Sequence, residues 1–269
     1  MLNFLNELDE DLRRIVIAQL RNLWTHTSTA IEGNSLTLAE TAFVIEEGLT
    51  VSGKPLKDHQ EVVGHARAID LIYDLVKQDT EITENDLFNL HKAVQTAPLF
   101  DVYKPVGNWK SEPNYTSMIN EDRQIIFEDA SPDDVPLLMK EWLTMLNSYM
   151  KQTLSRDAAI DAYIKLHISF VRIHPFFDGN GRIARLVSNL PVLKSGFPPV
   201  IIPKERRLEY IQALTAYHVT AGSPLPGRPL VPETKALEKF RIFCTDSWKN
   251  SIELIDAAKK KQIQKNKSK

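Results

Sequence analysis

A single cysteine, Cys244, in a chain of 269 residues leaves no internal disulfide and rules out most zinc sites. One thiol fits a reducing compartment, and the cytoplasm is the expected location. Apolar runs long enough to span a bilayer are missing too, so no membrane partner is expected. The first seven residues, Met1-Leu2-Asn3-Phe4-Leu5-Asn6-Glu7, show neither a basic n-region nor a cleavage site, and no secretory signal is read there. An excess of either charge is also lacking: 33 basic residues stand against 35 acidic ones, for a formal net charge of −2. That balance leaves no footprint for nucleic acid. Internal repeats and a flexible interdomain linker are absent from the pattern. What remains is an ordinary globular composition, 43% hydrophobic and 25% charged, with length for one large domain or one domain with an extension.

Present along most of the chain is helical periodicity. Leu12, Ile15, Val16, Gln19, Leu20, Leu23 and Trp24 mark one apolar stripe, and Val62, Val63, Ala66, Ile69, Leu71, Ile72 and Leu75 another. Thr37 with Glu40 reads as a capping box opening a helix that runs to Gly48. Thr83 and Asp86 open the next, with Leu87, Leu90, His91 and Val94 inside it. Ser131-Pro132-Asp133-Asp134 reads as an N-cap with proline at the first helical position, continued by Val135, Leu138, Met139, Trp142, Leu143 and Leu146. Residues 222–232, rich in proline and glycine, read as a surface loop, and the basic stretch 259–269 as a frayed helix end or tail. One segment departs from this. From Tyr115 to Phe127 two β-prone runs flank a polar turn near Asn120. A lone hairpin is marginal and leaves an open edge, so sequence alone leaves a decorative loop as open as a functional one.

The chemistry concentrates in twelve residues, His174-Pro175-Phe176-Phe177-Asp178-Gly179-Asn180-Gly181-Arg182-Ile183-Ala184-Arg185. Each part has a task if the substrate is a nucleoside triphosphate. Glycines on both sides of Asn180 let backbone N–H groups converge as an anion nest. A helix starting near Gly181 aims its positive end at the same anion. Arg182 and Arg185, three apart, share a face and offer forked donors to phosphate. Asp178 supplies a hard oxygen for Mg²⁺, and His174 is the candidate general base. The run Gly179-Asn180-Gly181-Arg182-Ile183-Ala184 also fits a dinucleotide fingerprint, which requires a preceding strand. Here Ile160, Tyr163, Ile164, His167, Phe170 and Val171 recur at helical steps, so that reading is rejected.

This run resembles the Fic family signature, H-P-F-x-[D/E]-G-N-G-R-x-x-R, at every fixed position. The resemblance implies a mainly α fold, a Fic-type helical bundle with a small β-hairpin flap over the active site. It implies an enzyme that moves AMP from ATP onto a hydroxyl of another protein, with Mg²⁺ as cofactor and pyrophosphate as product. His174 would deprotonate the target hydroxyl and Asp178 would hold the metal. Gly179, Asn180 and Gly181 would seat the phosphates, with Arg182 on the β-phosphate region and Arg185 on the γ-phosphate. The related Doc-type proteins, which transfer phosphate, depart from the signature at the glycines, so nucleotidyl transfer is favoured here. The hairpin near residues 115–127 would dock the target as an added strand. A helix near Tyr210 would stack on adenine. His218 falls where some members have asparagine, which puts base recognition in doubt and leaves transfer of another nucleotide open.

A second likeness lies upstream. Ser28-x-x-x-Glu32-Gly33 is similar to the family's inhibitory motif, [S/T]-x-x-x-E-[G/N]. Gly33 is a natural stop for the helix that begins near Asp11, which puts Glu32 at a helix end where the dipole disfavours an acid. The resemblance implies that Glu32 pairs with Arg185 and takes the place of the γ-phosphate, so that the enzyme is self-inhibited. Glu32 could instead position water for removal of AMP, and a non-catalytic nucleotide-binding module is the remaining alternative. The expected layout is an inhibitory helical region over 1–80, a Fic core over 81–250 and a helix end or tail over 251–269. A homodimer is possible by the same resemblance.

Overall fold

The computed structural model describes residues 3–95, 104–120 and 123–267. Among them are ten α-helices and one two-stranded sheet. The first helix, α1 (Glu10–Ile31), starts at Asp9, whose carboxylate accepts the Leu12 N–H at 3.1 Å. It stops where Gly33, at φ 100°, takes the left-handed conformation a side chain would resist. The expected capping boxes are present. Thr37 and Glu40 open α2 (Leu38–Glu47), and Thr83 and Asp86 open α4 (Glu84–Val94), with α3 (Leu56–Lys77) between them. Of the residues in the two long stripes, Ile15, Gln19 and Leu71 point to solvent.

Two helix boundaries differ from the sequence expectation. α5 (Val135–Met150) begins after Ser131–Asp134 rather than within it. A helix starting at Pro132 would bury Pro136 in its interior, where its ring clashes with the carbonyl four residues back; beginning at Val135 places Pro136 in the first turn. Ser131 instead closes the turn before the helix, its hydroxyl accepting the Asp134 N–H at 3.3 Å. The helix after the signature is also shorter than the helical recurrence of Ile183, Leu186, Val187 and Leu190 suggests. α7 (Asn180–Val187) ends, and α8 (Leu190–Lys194) restarts with Pro191 in its first turn. Asn189 fills the joint: its side-chain carbonyl accepts the Val200 N–H at 2.7 Å, and its amide donates to Arg185 O and Val200 O.

The architecture is organised around α6 (Arg156–Ile173). One of its faces, with Leu166, Phe170 and Ile173, joins a core containing Trp24, Trp142 and Phe176. The other, with Ile160, Tyr163 and Ile164, joins a second core with Tyr210 and Tyr217 of α9 (Arg207–Ala221) and Phe240, Phe243 and Trp248 of α10 (Lys235–Lys267). A helix apolar on both sides is a buried helix, and its C-terminal end is correspondingly fixed in space. Residues 222–234 connect α9 to α10 without helix, as the sequence suggests. The basic end is not frayed within the described residues. Ile255, Ala258 and Gln262 form a buried stripe along α10, and the Gln262 side chain accepts the Asp9 N–H at 2.8 Å. The helix therefore continues to Lys267 because it packs on the start of α1.

The expected hairpin forms from β1 (Tyr115–Asn120) and β2 (Arg123–Glu128), antiparallel, with Tyr115 opposite Glu128 and Asn120 opposite Arg123. The two residues of its turn, 121 and 122, lie outside the described residues. Phe127 rests against the His218 ring of α9 at 4.5 Å between centroids.

Candidate active site

The buried end of α6 delivers His174, which caps the helix in the left-handed region at φ 52° and ψ 58°. It is the only described non-glycine residue with positive φ, and such strain clusters at functional positions. Its N–H closes on Phe170 O at 2.9 Å, so the turn is made even at that strain. Nδ1 of the ring faces Val171 O at 3.4 Å and a carboxylate oxygen of buried Asp129 at 3.8 Å. Both partners only accept, which assigns the proton to Nδ1 and a lone pair to Nε2. Burial, with help from the Lys110 ammonium, pushes the imidazole down to about 4, so it is neutral at pH 7.

The loop from Pro175 to Gly179 is held from four directions. Lys110 N–H donates to Pro175 O at 2.8 Å, and Asn114 donates to Phe176 O at 3.0 Å. Asn180 closes the loop on itself, accepting the Phe176 N–H at 2.9 Å and donating to Phe176 O at 2.7 Å. Its side chain is thus committed to the loop, and what it offers an anion is its backbone N–H at the start of α7. Under the loop, His91 stacks on Phe176 at 4.0 Å. His91 Nδ1 accepts the Gly107 N–H at 2.9 Å, so its Nε2 carries the proton and donates to Asp178 O at 3.1 Å.

Gly179, at φ 80°, turns the chain into α7. Asp178 precedes it, with its side chain 59% exposed. Burial of the carboxyl would raise its pKa, but Arg182 at 3.5 Å, the Gly179 backbone and Gln95 at 3.1 Å outweigh this and hold it below the usual carboxylate range. Arg182 is buried against Val94 O, Gln95 and Asp178, and Glu61 of α3 lies 3.9 Å away.

Arg185, one turn on, is 2% exposed and points into a nest of acceptors. Nε donates to Ser28 Oγ at 3.0 Å, Nη2 to Ser28 O at 2.9 Å and to Glu32 Oε1 at 2.7 Å, and Nη1 to the Tyr210 hydroxyl at 3.4 Å. Burial opposes its charge, yet Glu32 and Tyr210 more than offset that and raise its pKa. The Glu32 carboxylate also lies over the start of α7: a Cβ added at Gly181 would stand 2.7 Å from Glu32 Oε1. A side chain there would push the Glu32 carboxylate out of this position. An acid unfavourably placed at the end of α1 is favourably placed at the beginning of α7.

Tyr210 sits deeper than an adenine-stacking role suggests. It is 1% exposed, its hydroxyl meets Nε2 of buried His167 at 3.0 Å, and its ring lies under Arg185 at 5.8 Å. Ile211 and Leu214, on the same helix, offer apolar surface beside it. All the sequence-designated residues nonetheless border one cavity of about 280 Å³: His174, Asp178, Gly179, Asn180, Gly181, Arg182, Arg185, Tyr210 and Glu32. Lys110, Gln95, Asp129, His91 and His167 were not singled out as site residues in sequence. Each is a lone polar residue outside the twelve-residue run, and only His91 and His167, each inside an apolar recurrence, left a visible trace. Among the described residues no group of three or more His, Cys, Asp or Glu could hold a metal, and no helix is long and apolar enough to cross a membrane.

A neutral imidazole, an acid and two arginines thus surround a glycine-bounded helix start at the end of a buried helix. The model of the Fic/DOC family matches residues 81–192, and that part of the chain belongs to the family. Among known proteins, the chain is 35% identical over 196 residues to protein adenylyltransferase fic-1 of Caenorhabditis elegans, which covers 71% of this chain and 35% of that protein. It is 34% identical over 189 residues to protein adenylyltransferase Fic of Drosophila grimshawi, covering 70% and 36%. The chain thus spans about a third of the length of these curated relatives. A Fic-domain-containing signalling protein of Bacteroides thetaiotaomicron superposes with a TM-score of 0.78 at 25% identity, covering 94% of this chain and 93% of that one. Fic-1 of C. elegans superposes with a TM-score of 0.69 at 28% identity, covering 98% and 69%.

Proposed function

We propose that this protein transfers AMP from ATP to a Ser, Thr or Tyr hydroxyl of another protein, and that Glu32 holds it inactive. The names of its relatives, protein adenylyltransferases, support the transfer. The observation that carries the brake is the Arg185 guanidinium, each nitrogen of which already donates to Ser28, Glu32 or Tyr210. One guanidinium cannot serve the Glu32 carboxylate and a phosphate in the same place.

With Glu32 displaced, the triphosphate lies along the start of α7. The N–H groups of Asn180, Gly181 and Arg182 and the two arginines take its oxygens. A divalent cation such as Mg²⁺ fits the donor set, since Asp178 presents a half-exposed, ionised carboxylate beside that anion seat. Asp178 would hold it, and when bound it would supply positive charge to the phosphate oxygens. His174 Nε2 takes the proton of the target hydroxyl while that oxygen bonds to the α-phosphorus. The bond to pyrophosphate breaks on the opposite side, and the arginines stabilise the charge that leaves. The hairpin supplies an open strand edge, with Tyr115 and Ile126 exposed, on which an extended target segment can pair.

The test uses wild type, Glu32→Gly and Glu32→Gly/His174→Ala with Mg²⁺ and ATP labelled at the α-phosphate, following label on protein. Label with Glu32→Gly, little with wild type and none with the double variant is the expected pattern. Equal label in the first two would remove the brake, and label in the double variant would remove His174 as base.

A further inference from the structure

A helix ends with four carbonyls that lack intrahelical partners. In α1 they belong to Ser28, Thr29, Ala30 and Ile31, and each has found an acceptor's role. Gly33 N–H donates to Ala30 O at 3.0 Å and Asn34 N–H to Thr29 O at 3.2 Å, the two bonds of a Schellman stop. Arg185 of α7 takes Ser28 O at 2.9 Å. The last carbonyl, Ile31 O, receives Nε of Arg207, the first residue of α9, at 2.6 Å. Guanidinium groups from two different helices thus hold the negative end of α1.

The two differ in what else they touch. Arg185 borders the cavity, whereas Arg207 is exposed and stands outside its lining. Yet Arg207 acts at the critical peptide. Ile31 C=O and Glu32 N–H share one planar unit, and that N–H donates to Thr29 O at 3.0 Å. With the carbonyl held by Arg207 and the amide by Thr29, the plane cannot turn, and the Glu32 side chain leaves the backbone toward Arg185 and Gly181.

We infer that Arg207 is a positioning residue for Glu32, a second latch that holds the inhibitory carboxylate in the nucleotide site without contacting nucleotide. The inference rests on the reading of Glu32 as a brake. Deleting the latch therefore shifts the protein toward the open state, while deleting Arg185 also removes a phosphate contact.

The test compares Arg207→Met, which carries an apolar chain as far as the position of Nε and loses the donor, with Arg207→Gln, whose amide nitrogen stands at the chain position of Nε. Each is made alone and on Glu32→Gly. Readouts are initial transfer of α-labelled AMP to protein with Mg²⁺, ATP affinity by calorimetry, and hydrogen exchange at the Gly33 and Asn34 amides. Arg207→Met should raise transfer by up to about tenfold, the scale of one hydrogen bond from a charged donor. It should tighten ATP binding, speed exchange at both amides, and change none of the catalytic readouts on Glu32→Gly. Arg207→Gln should recover most of the brake. Unchanged transfer and exchange in Arg207→Met, with Glu32→Gly active, overturns the latch and leaves the brake standing. An equal rise on the Glu32→Gly background also overturns it, since the effect then bypasses Glu32. If Glu32→Gly itself gains nothing, the brake reading fails and the latch fails with it.

Discussion

At Arg185 two demands meet in one side chain. Its three nitrogens serve Ser28, Glu32 and Tyr210 in the resting protein, and the same fork must turn to phosphate for transfer to occur. Removing it in wild type therefore mixes two effects, loss of the brake and loss of a ligand contact. The clean measurement is made on Glu32→Gly, where the brake is already gone. There Arg185→Ala should weaken ATP binding by about ten- to a hundredfold, the scale of hydrogen bonds from a charged donor. Calorimetry reads this directly, and an unchanged Kd would take Arg185 out of phosphate recognition. The pairing was expected only through the family resemblance of the two motifs, one ending in Glu32-Gly33 and the other in Arg185, and the contact at 2.7 Å agrees with it. The depth of Tyr210 was not legible in sequence. Its burial depends on His167 and Phe240 from α6 and α10, and no local pattern encodes which aromatic residue of a helix turns inward.

At the scale of elements, the approach of α1 to α7 fixes the site. The end of one helix and the start of the other are so close that Gly181 has no room for a side chain while Glu32 is in place. This yields a prediction whose sign depends on background. In wild type, Gly181→Ala should destabilise, because the added methyl crowds the Glu32 carboxylate and an Arg185 nitrogen. On Glu32→Gly it should stabilise by up to ~1 kcal/mol, the helix propensity gained over glycine. Urea unfolding of the four proteins measures the coupling, and additive effects would mean that the two helices do not press on each other there. Capping boxes and hairpin were legible because their determinants are local, within a few residues. The break between α7 and α8 was not, since it is made by Asn189 reaching Val200, a partner beyond any helical window. The same holds for the C-terminal end of α10, whose order comes from contact with α1 at the other end of the chain.

Across the whole molecule, histidines on α3, α4, α6 and α9 are held neutral. Burial pushes His91, His174 and His218 down to about 4 and His167 to about 3, and it places His65 well below its usual range, with the Arg185 and Arg182 charges adding to the effect. In the unfolded chain each returns to near 6.5. Between these values the unfolded state binds protons that the folded state refuses, so stability is complete above pH 6.5 and is lost as pH falls toward 4. Each such histidine contributes a slope of up to about 1.4 kcal/mol per pH unit within its window. A domain with ~5–15 kcal/mol in total cannot withstand several of them at once. The urea midpoint should therefore drop steeply between pH 6.5 and 5, before ionised carboxylates such as Asp178, held below their usual range, begin to protonate. His167→Gln removes one titrating group and should flatten the slope over that interval even if it lowers stability at pH 7. A midpoint independent of pH from 7 to 5 would mean that these rings take up protons in the folded protein. His174 would then titrate near its ordinary value, and the base would be lost as pH falls through 6.5 rather than only near 4.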